Sequence, residues 1–427
     1  MKTLLFLLLF LTTGAQQPPV IHPKPETTRL DADSITVTFL TRKQYYPGGP
    51  AATQDPDVLS PKSVHIHPDG HKYYVNSLEG MRTVAFDFAS GRKLKVIHHD
   101  FDSTHLALWA PASGLYPFNY KYKEPETFAG KPVESTFSHN GRYLWVPYYR
   151  RSYDINAQDP SALAVIDTQR DTIVRLFETG PLPKMIATSP DGTKIAVTHW
   201  GDNTVGLLDI TGGDPDYWHY AACYTVDYKL KLNYSRTVPV NRDANSGYCL
   251  RGTLFTPDGR YLLVGCMGGG GGIAVIDMTA KKYLGRVLGM MSNLRHIILS
   301  GGYLYLSINN SGYVQRIPLD TFLAALAGFD EKHTTVTLTG WENCKVPAGA
   351  RTIVASPDGR FIFAACNFSS KIAVVDTRSM TLVGTLDADS YPVGLDISKD
   401  GRYLFSTSQA RPSGGGNAVD IFEIRYK

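Results

Sequence analysis

Apolar runs long enough to span a membrane are absent from this 427-residue sequence. The longest unbroken apolar stretch near the start, residues 4–11, has eight residues, whereas a spanning helix needs about 20. It follows Lys2 and precedes the small residues Thr13-Gly14-Ala15, which is the pattern of a secretory signal peptide. We therefore predict a signal peptide over residues 1–15, a linker over 16–27, and a periplasmic or secreted protein without a transmembrane segment.

Charge is also scarce. Charged residues make up 19% of the chain and the formal net charge at pH 7 is +4. Together with a hydrophobic content of 43%, the low charge excludes a largely disordered chain. Binding of nucleic acid requires a dense basic patch, which this balance does not supply, so we expect no nucleic-acid partner. For the isolated protein we expect a monomer.

The sequence lacks the motifs of several catalytic and cofactor-binding classes. It has no C-x-x-C-H for covalent haem and no G-x-S-x-G nucleophile elbow. The glycine run 268–272 lacks the Gly-Lys-Ser/Thr of a phosphate loop, and the His- and Asp-rich stretch 98–105 matches no defined metal motif. We therefore expect neither a cofactor nor a metal. Of five cysteines, Cys223 and Cys249 flank one long insertion and either form a disulfide or stay free, which the sequence leaves open.

What the sequence does contain is a repeated turn. The turn reads HPDG at 67–70, SHNG at 138–141, SPDG at 189–192, TPDG at 256–259, SPDG at 356–359 and SKDG at 398–401, with a degenerate SGG at 300–302. Apolar runs of four to eight residues, rich in Val, Ile, Leu and Tyr, flank each copy, and such runs predict strands. Asp-Gly at the turn supplies the positive φ angles of a tight hairpin.

Four strands in a repeat of roughly 40–45 residues are typical of one propeller blade. The third strand of four copies ends in an aspartate, and its side chain is expected to accept a bond from the backbone N–H two residues on. These residues are Asp167, Asp209, Asp277 and Asp376. The predicted fold is all-β: a seven-bladed β-propeller of four-stranded antiparallel blades over residues 28–427. Residues 34–40 alternate apolar and polar side chains, which predicts an N-terminal strand that completes blade seven and closes the ring.

Two stretches resemble a known repeat family. SPDGTKIAVTHWGDNTVGLLDI (189–210) and SPDGRFIFAACNFSSKIAVVDT (356–377) are similar to the YVTN β-propeller repeat, within the superfamily of lactonase-like and quinoprotein-like seven-bladed propellers. The resemblance covers residues 28–427 and implies an exported propeller. Because the family and its wider relatives include binding proteins, lactonases and dehydrogenase subunits, the resemblance implies no single activity.

The long insertions favour one end of the predicted propeller. They lie near 100–131, 147–161 and 211–249, mostly in two–three loops and blade connections, and long loops on a rigid scaffold commonly carry binding sites. Within the last insertion we place the fourth strand of blade three near 230–234. The fourth strand of blade five is placed at 334–340.

Five blades carry a cation where the chain enters the innermost strand. Four of the cations lie eight residues before the turn glycine, and the one in blade five aligns after a one-residue gap. The five are Lys62, Lys184, Arg251, Arg295 and Arg351. Val133 and Val393 take the position in blades two and seven. These positions converge on the mouth of the central channel, where they either attract an anion or pair with nearby carboxylates.

Polar side chains near the end of strand two form a second candidate set. They are Asn76, His199, Asn309, Asn367 and Gln409. They are candidates for hydrogen bonds to a ligand, or they satisfy the backbone of the neighbouring turn.

Three functional hypotheses follow. The first is an exported propeller that binds an anionic small molecule or a protein partner at its basic mouth. The second is a lactonase-type hydrolase of an anionic sugar lactone, with a mouth His or Asp as general base. The third is a non-catalytic propeller subunit of a periplasmic redox complex.

Overall fold

Seven antiparallel sheets form the architecture of the protein. The computed structural model describes residues 28–46, 49–117, 124–231, 242, 245–410 and 415–427, so the predicted signal peptide and linker lie outside the described residues. Each sheet contains four strands of one sequence repeat, except that the last takes its fourth strand from the N-terminus. The prediction of a seven-bladed β-propeller is therefore confirmed.

The strands of blades one to three are short, and strand one is innermost in each. Blade one contains Pro61–Ile66, Lys72–Ser77, Arg82–Asp87 and Lys93–His98. Blade two contains Thr136–Ser138, Tyr143–Arg151, Ser161–Asp167 and Thr172–Thr179. Blade three contains Pro183–Thr188, Lys194–His199, Thr204–Asp209 and His219–Thr225.

Blades four to seven repeat the plan. Blade four contains Leu250–Phe255, Tyr261–Cys266, Ile273–Asp277 and Lys282–Leu288. Blade five contains Leu294–Ser300, Tyr303–Ile308, Tyr313–Pro318 and Glu342–Lys345. Blade six contains Ala350–Ala355, Phe361–Cys366, Lys371–Asp376 and Thr381–Asp387. Blade seven contains Pro392–Ile397, Tyr403–Ser408, Ala418–Tyr426 and Ile35–Gln44.

The ring is closed by the N-terminal strand, as predicted. Ile35–Gln44 pairs antiparallel with Ala418–Tyr426, and Arg29–Asp31 adds a short outer strand. Within this pairing the buried Arg42 guanidinium donates to both carboxylate oxygens of Asp420, at 2.6 and 2.9 Å, and lies 3.3 Å from Asp389. Because these residues are 378 positions apart, the ion pair joins the two ends of the chain.

The predicted turn chemistry is confirmed at the turn glycines, whereas the aspartate before the glycine, such as Asp358, does not have a positive φ. In blade six the N–H of Gly359, at a φ of 71°, donates to the Ser356 carbonyl at 2.8 Å. A positive φ is readily adopted by glycine, which has no Cβ to clash with the backbone. The four strand-ending aspartates each accept from the backbone N–H two residues on, at 2.8–2.9 Å.

Two outer strands differ from the prediction. The fourth strand of blade three is His219–Thr225, so the insertion near 211–249 contains a blade strand; residues 230–231 form no strand, and 232–241 lie outside the described residues. The fourth strand of blade five is Glu342–Lys345, whereas Thr335–Thr337 pairs in parallel with Lys282–Leu288 of blade four. Both segments have strand-like composition, and composition does not specify which sheet edge a segment joins.

The remaining elements extend the blades or pack against them. Asp100–Phe101 and Phe128–Pro132, within the insertion near 100–131, extend the sheet of blade two. Among the described residues, a helix, Leu319–Ala325, packs against blade five, and the short 3-10 helices are Ala51–Thr53, Ser103–Leu108, Pro215–Tyr217 and Leu326–Gly328. No helix in the described part of the chain has the length and apolarity to cross a membrane.

The hydrophobic core is divided among the blade interfaces. Seven apolar clusters each join two neighbouring blades, including blades seven and one. An eighth, smaller cluster lies at the channel mouth and contains Ala157, Leu182 and Trp200, with Tyr149 and Cys249 packed against it. Close packing between blades therefore holds the inner strands, and the side chains at their starts, in a fixed arrangement.

Candidate functional site

The five cations predicted from the repeat line one cavity at the channel mouth. The cavity has a volume of about 240 Å³. Its lining consists of Lys62, Leu78, Val133, Tyr149, Lys184, Trp200, Arg251, Arg295, Arg351, Tyr391 and Gln409. Lys62, Arg251 and Arg351 are buried, and the other two cations are partly exposed. Five separate blades thus contribute one positive charge each to the same space.

A shared backbone irregularity places these cations. In all five blades the pairing of strands one and two shifts register at the cation. In blade one, for example, Pro61 pairs with Ser77 and Ser63 with Asn76, so Lys62 falls between two paired positions. A β-bulge of this kind releases a residue from the regular ladder and redirects its side chain. Because the bulge recurs at one place in the repeat, the cations lie around one ring.

Aromatic side chains form much of the cavity wall. The Lys184 ammonium lies 3.7 Å from the ring centre of Tyr149 and 4.8 Å from that of Trp200. The Arg351 guanidinium lies 5.7 Å from the ring centre of Tyr391. Cation–π contacts of this kind orient the cations without neutralising their charge. Trp200 is only 6% exposed, and its indole N–H is buried without a hydrogen-bond partner among the described residues.

One cation is paired with a carboxylate. Lys62 Nζ donates to Glu134 Oε1 at 2.7 Å, and both side chains are buried. Burial alone would raise the pKa of Glu134, but the charge and hydrogen bond of Lys62, helped by His65 and Arg251, lower it to about 2. Glu134 is therefore ionised. Burial and the positive charges of Arg351 and Arg251 lower the pKa of Lys62 to about 7 despite the ion pair.

The other cations are destabilised by burial and by one another. Burial and the Arg351 charge lower the pKa of Arg251 to about 9. The pKa values of Lys184 and Arg295 also lie well below their usual range, because each is largely desolvated, although partly exposed, and faces Arg251 and the other cations. Within the described residues, neither Arg251 nor Arg295 has a carboxylate at ion-pair distance, and the Nε of each is buried without a hydrogen-bond partner. The positive charge of Arg251 and Arg295 is therefore incompletely compensated by the described residues.

Two of the polar candidates are satisfied inside their blades. Asn76 donates to Ser63 Oγ at 3.0 Å and Ser135 Oγ at 2.7 Å and accepts from Thr83 at 2.7 Å. The His199 ring bonds Thr179 at 2.7 Å and Thr204 at 2.8 Å. Burial, followed by the charge of Lys229, lowers the pKa of His199 to about 3. Neither residue lines the cavity, so both have the structural role left open by the sequence.

Of the other three polar candidates, one lines the cavity and two do not. Gln409 lines the cavity, with its Nε2 3.4 Å from Ser60 Oγ. Asn309 and Asn367 are bonded to each other instead, at 2.9 Å, outside the cavity lining. One polar atom of each, Asn309 Oδ1 and Asn367 Nδ2, has no partner among the described residues.

The cavity contains few groups for acid–base chemistry. Among the described residues that line it there is no histidine and no carboxylate. The hydrolase hypothesis gains from an unpaired imidazole or carboxylate beside the cations, but His199 is enclosed in blade three and Glu134 is paired with Lys62. His65, which interacts electrostatically with Glu134 and Lys62, lies outside the cavity lining, and its buried Nε2 has no hydrogen-bond partner among the described residues. No group of three potential metal ligands occurs in the described ranges. All five cysteines are free thiols, including Cys223 and Cys249.

Several contributors were missed by the sequence reasoning. Glu134 follows Val133, which occupies the cation position of blade two, so the aligned position itself showed no charge. Trp200 directly follows His199, the strand-two candidate chosen from the sequence, and Trp200 rather than His199 lines the cavity. Tyr391 precedes the inner strand of blade seven. A search one residue to either side of each aligned position finds Glu134 and Trp200.

Sequence comparison finds two partial relatives of this chain. The chain is 27% identical over 199 residues to antigen Lp49 of Leptospira interrogans, and 24% identical over 253 residues to hydrazine synthase subunit beta of Kuenenia stuttgartiensis. The matches span 42% and 51% of this chain, and 39% of the antigen and 59% of the subunit, so less than two thirds of either relative is covered. No protein-family profile matches, and the resemblance to the YVTN repeat stays a prediction.

Two solved structures share the fold. Kuenenia stuttgartiensis hydrazine synthase superposes with a TM-score of 0.56 and 16% identity, covering 88% of this chain and 99% of that one. The β-propeller domain of Cps50 (Swd1) from Myceliophteria thermophila superposes with a TM-score of 0.57 and 13% identity, covering 86% of this chain and 96% of that one. At these identities the likeness defines the chain as a β-propeller and extends no further.

Proposed function

We propose that this propeller binds an anionic ligand, or an anionic group of a protein partner, at the basic mouth of its central channel. The observation that carries the proposal is the convergence of five cations from five blades on one cavity of about 240 Å³. Two of them, Arg251 and Arg295, have no carboxylate at ion-pair distance within the described residues. Burying charge without compensation is costly, so its presence is most simply explained by a negatively charged ligand.

The chemistry of the lining supports binding rather than catalysis. Guanidinium groups bind carboxylate or phosphate through paired hydrogen bonds. The aromatic rings of Tyr149, Trp200 and Tyr391 hold the cations in place and provide apolar wall, which is the usual composition of a small-molecule site. The indole N–H of Trp200 supplies a further donor.

Thermal-shift and calorimetric titration with a panel of anions tests this proposal. We expect at least one anion to stabilise the wild type and to lose most of its effect on Arg251→Met. Arg378→Met is the matched control, since Arg378 is an exposed cation in a three–four turn on the opposite face. If no anion stabilises the wild type, or if Arg251→Met responds equally, the mouth does not bind anions.

A second candidate function is that of a non-catalytic subunit in a larger redox complex. It is favoured by the similarity to hydrazine synthase subunit beta, which is by name one subunit of a larger enzyme. In addition, Ile155 and Phe368 are 73% and 53% exposed in two–three loops, on the same face as the cavity. Exposed apolar side chains on one face favour contact with a partner.

The native assembly state tests this second function. We expect the protein purified from its source to elute above the 47.1 kDa of one chain. Phe368→Ser should reduce the assembly, whereas Leu382→Ser, on the opposite face and 40% exposed, should not. Elution at the mass of one chain would rule out a stable complex. We also propose export to the periplasm or medium, for which the test is the N-terminal residue of the mature protein, expected near Gln16.

A further inference from the structure

The size of the mouth cavity limits the ligand. Its volume of about 240 Å³ lies below the roughly 300–1,000 Å³ of pockets for drug-sized molecules. It lies above the roughly 150 Å³ of an apolar cavity that binds benzene. A ligand of about six to ten non-hydrogen atoms matches this space. A folded protein surface cannot reach the buried Arg251 and Lys62, which are 4% and 5% exposed.

The charge of the cavity sets a lower limit on the charge of the ligand. Five cations line the cavity. One of them, Lys62, forms an ion pair with the carboxylate of Glu134. Arg251 and Arg295 remain without a carboxylate, and they sit on neighbouring blades four and five. One negative charge cannot compensate both guanidiniums. Two separate oxyanion groups can each accept hydrogen bonds from a different part of the ring.

The indole N–H of Trp200, a neutral donor, also lacks a partner that a ligand could supply: it is buried and has no hydrogen-bond partner among the described residues. Buried donors without partners are rare, because an unmade hydrogen bond loses the solvation of the donor. An oxyanion oxygen in the cavity lined by Trp200 would satisfy it. This observation points to a ligand independently of the cations.

We propose that the ligand of the mouth is a small dianion with two oxyanion groups, carboxylate or phosphate, on a body of about six to ten non-hydrogen atoms. Arg251 and Arg295 hold one or both groups, and the Trp200 indole N–H donates to one of their oxygens. The inference rests on the proposed anion-binding function and narrows it to one chemical class. Monoanions leave part of the ring uncompensated and bind more weakly.

Titration calorimetry on the wild-type protein compares matched anions. Succinate and butyrate share a four-carbon chain and differ by one carboxylate, so their ratio isolates the second charge. We expect succinate to bind about tenfold or more tightly than butyrate. Pyrophosphate against inorganic phosphate compares two linked phosphate groups with one, and the tighter of succinate and pyrophosphate identifies the source of the oxyanions. A ligand-induced change in tryptophan fluorescence that is lost in Trp200→Phe provides a second readout of binding, because the chain has five tryptophans.

Variants assign the contacts. Trp200→Phe keeps an aromatic ring but removes the N–H, and we expect affinity for the preferred dianion to fall about tenfold. Arg295→Met should lower affinity for the dianion more than for the matching monoanion. Arg378→Met should change neither.

The outcomes separate this inference from the function on which it rests. Equal affinity for dianion and monoanion, or unchanged dianion affinity in Trp200→Phe and Arg295→Met, overturns the dianion assignment while leaving anion binding in place. Failure of every anion, and of an acidic peptide, to bind the wild type overturns both. The comparison of anions needs no variant, so a variant that fails to fold does not decide the result.

Discussion

Lys62 of blade one and Glu134 of blade two form a buried ion pair, with 2.7 Å between Nζ and Oε1, at the edge of a cavity lined by four further cations. Glu134 therefore acts as the internal counter-charge of the mouth. The pair also joins two blades, because the side chains come from their respective inner edges. The charge balance of the mouth depends on this one carboxylate more than on any exposed acid.

Glu134→Gln should destabilise the ligand-free protein and tighten anion binding. Removing one partner of a buried pair leaves an uncompensated charge and costs about 3–5 kcal/mol. An anion would then compensate Lys62 as well, so affinity should rise about tenfold. Urea denaturation and calorimetry measure the two effects. Glu79→Gln is the control, since it breaks an exposed Lys131–Glu79 pair of the same length, 2.7 Å; equal destabilisation by both variants would contradict the assignment.

Arg251→Met should stabilise the ligand-free protein by about 1–2 kcal/mol while abolishing anion binding, since stability and function often oppose each other at binding sites. The reason is that the Arg251 guanidinium is buried beside like charges, which lowers its pKa to about 9. Unfolding curves with and without anion measure both terms. A destabilised Arg251→Met would show that the guanidinium contributes net packing or hydrogen bonding to the fold.

Anion affinity should fall as the pH rises above about 7. Burial and neighbouring cations lower the pKa of Lys62 to about 7, so its ammonium is lost through this range, and the positive charge of the cavity falls. The decrease should approach but not exceed tenfold per pH unit for this one group. Titrations with a non-titrating anion between about pH 6 and pH 9 measure it. Lys62→Met should flatten the profile; an unchanged profile would assign the titration to another group.

Because folding lowers the pKa of Lys62, the stability of the ligand-free protein should depend on pH. The unfolded chain keeps Lys62 protonated up to its ordinary pKa of 10.5, whereas the folded protein releases the proton near 7. Between these values the unfolded state binds more protons, so stability should rise with pH across this window. Chemical denaturation at several pH values measures the rise, and Lys62→Met should reduce it. A rise of equal size in Lys62→Met would attribute it to other groups.

His199→Ala should destabilise the protein by about 2–3 kcal/mol without weakening anion binding, because the ring satisfies Thr179 and Thr204 and does not line the cavity. Thermal denaturation and calorimetry measure the two effects. Loss of anion affinity at temperatures where the variant is folded would show that His199 contributes to anion binding.

Arg42→Met should weaken ring closure. Asp420 is buried, at 1% exposure, and removal of the guanidinium takes away the group that donates to both of its carboxylate oxygens, at a cost of about 3–5 kcal/mol. Arg29→Met, which breaks an exposed 3.0 Å pair with Asp31 on the outer strand, should have no measurable effect. Urea denaturation measures the stability of both variants. Equal effects would mean that the buried ion pair of Arg42 contributes no more than an exposed pair.

The repeat, the turns and the aligned cations could be predicted from the sequence because each is local. Hairpin turns require positive φ at glycine, strand-ending aspartates bond backbone two residues on, and a blade is one repeat long. Ring closure by the N-terminal strand was also predictable, since an incomplete last repeat and an alternating first segment complement each other. Five cations in register were visible for the same reason.

Tertiary structure decided what lies beside those cations. The sequence alone determined that seven blades would bring five positive charges to one mouth. It did not determine that Glu134 compensates Lys62, that Trp200 rather than His199 lines the cavity, or that Thr335–Thr337 joins blade four. Those outcomes depend on packing between residues far apart in the chain, where burial and distance, rather than residue type, set which groups pair and which face the ligand.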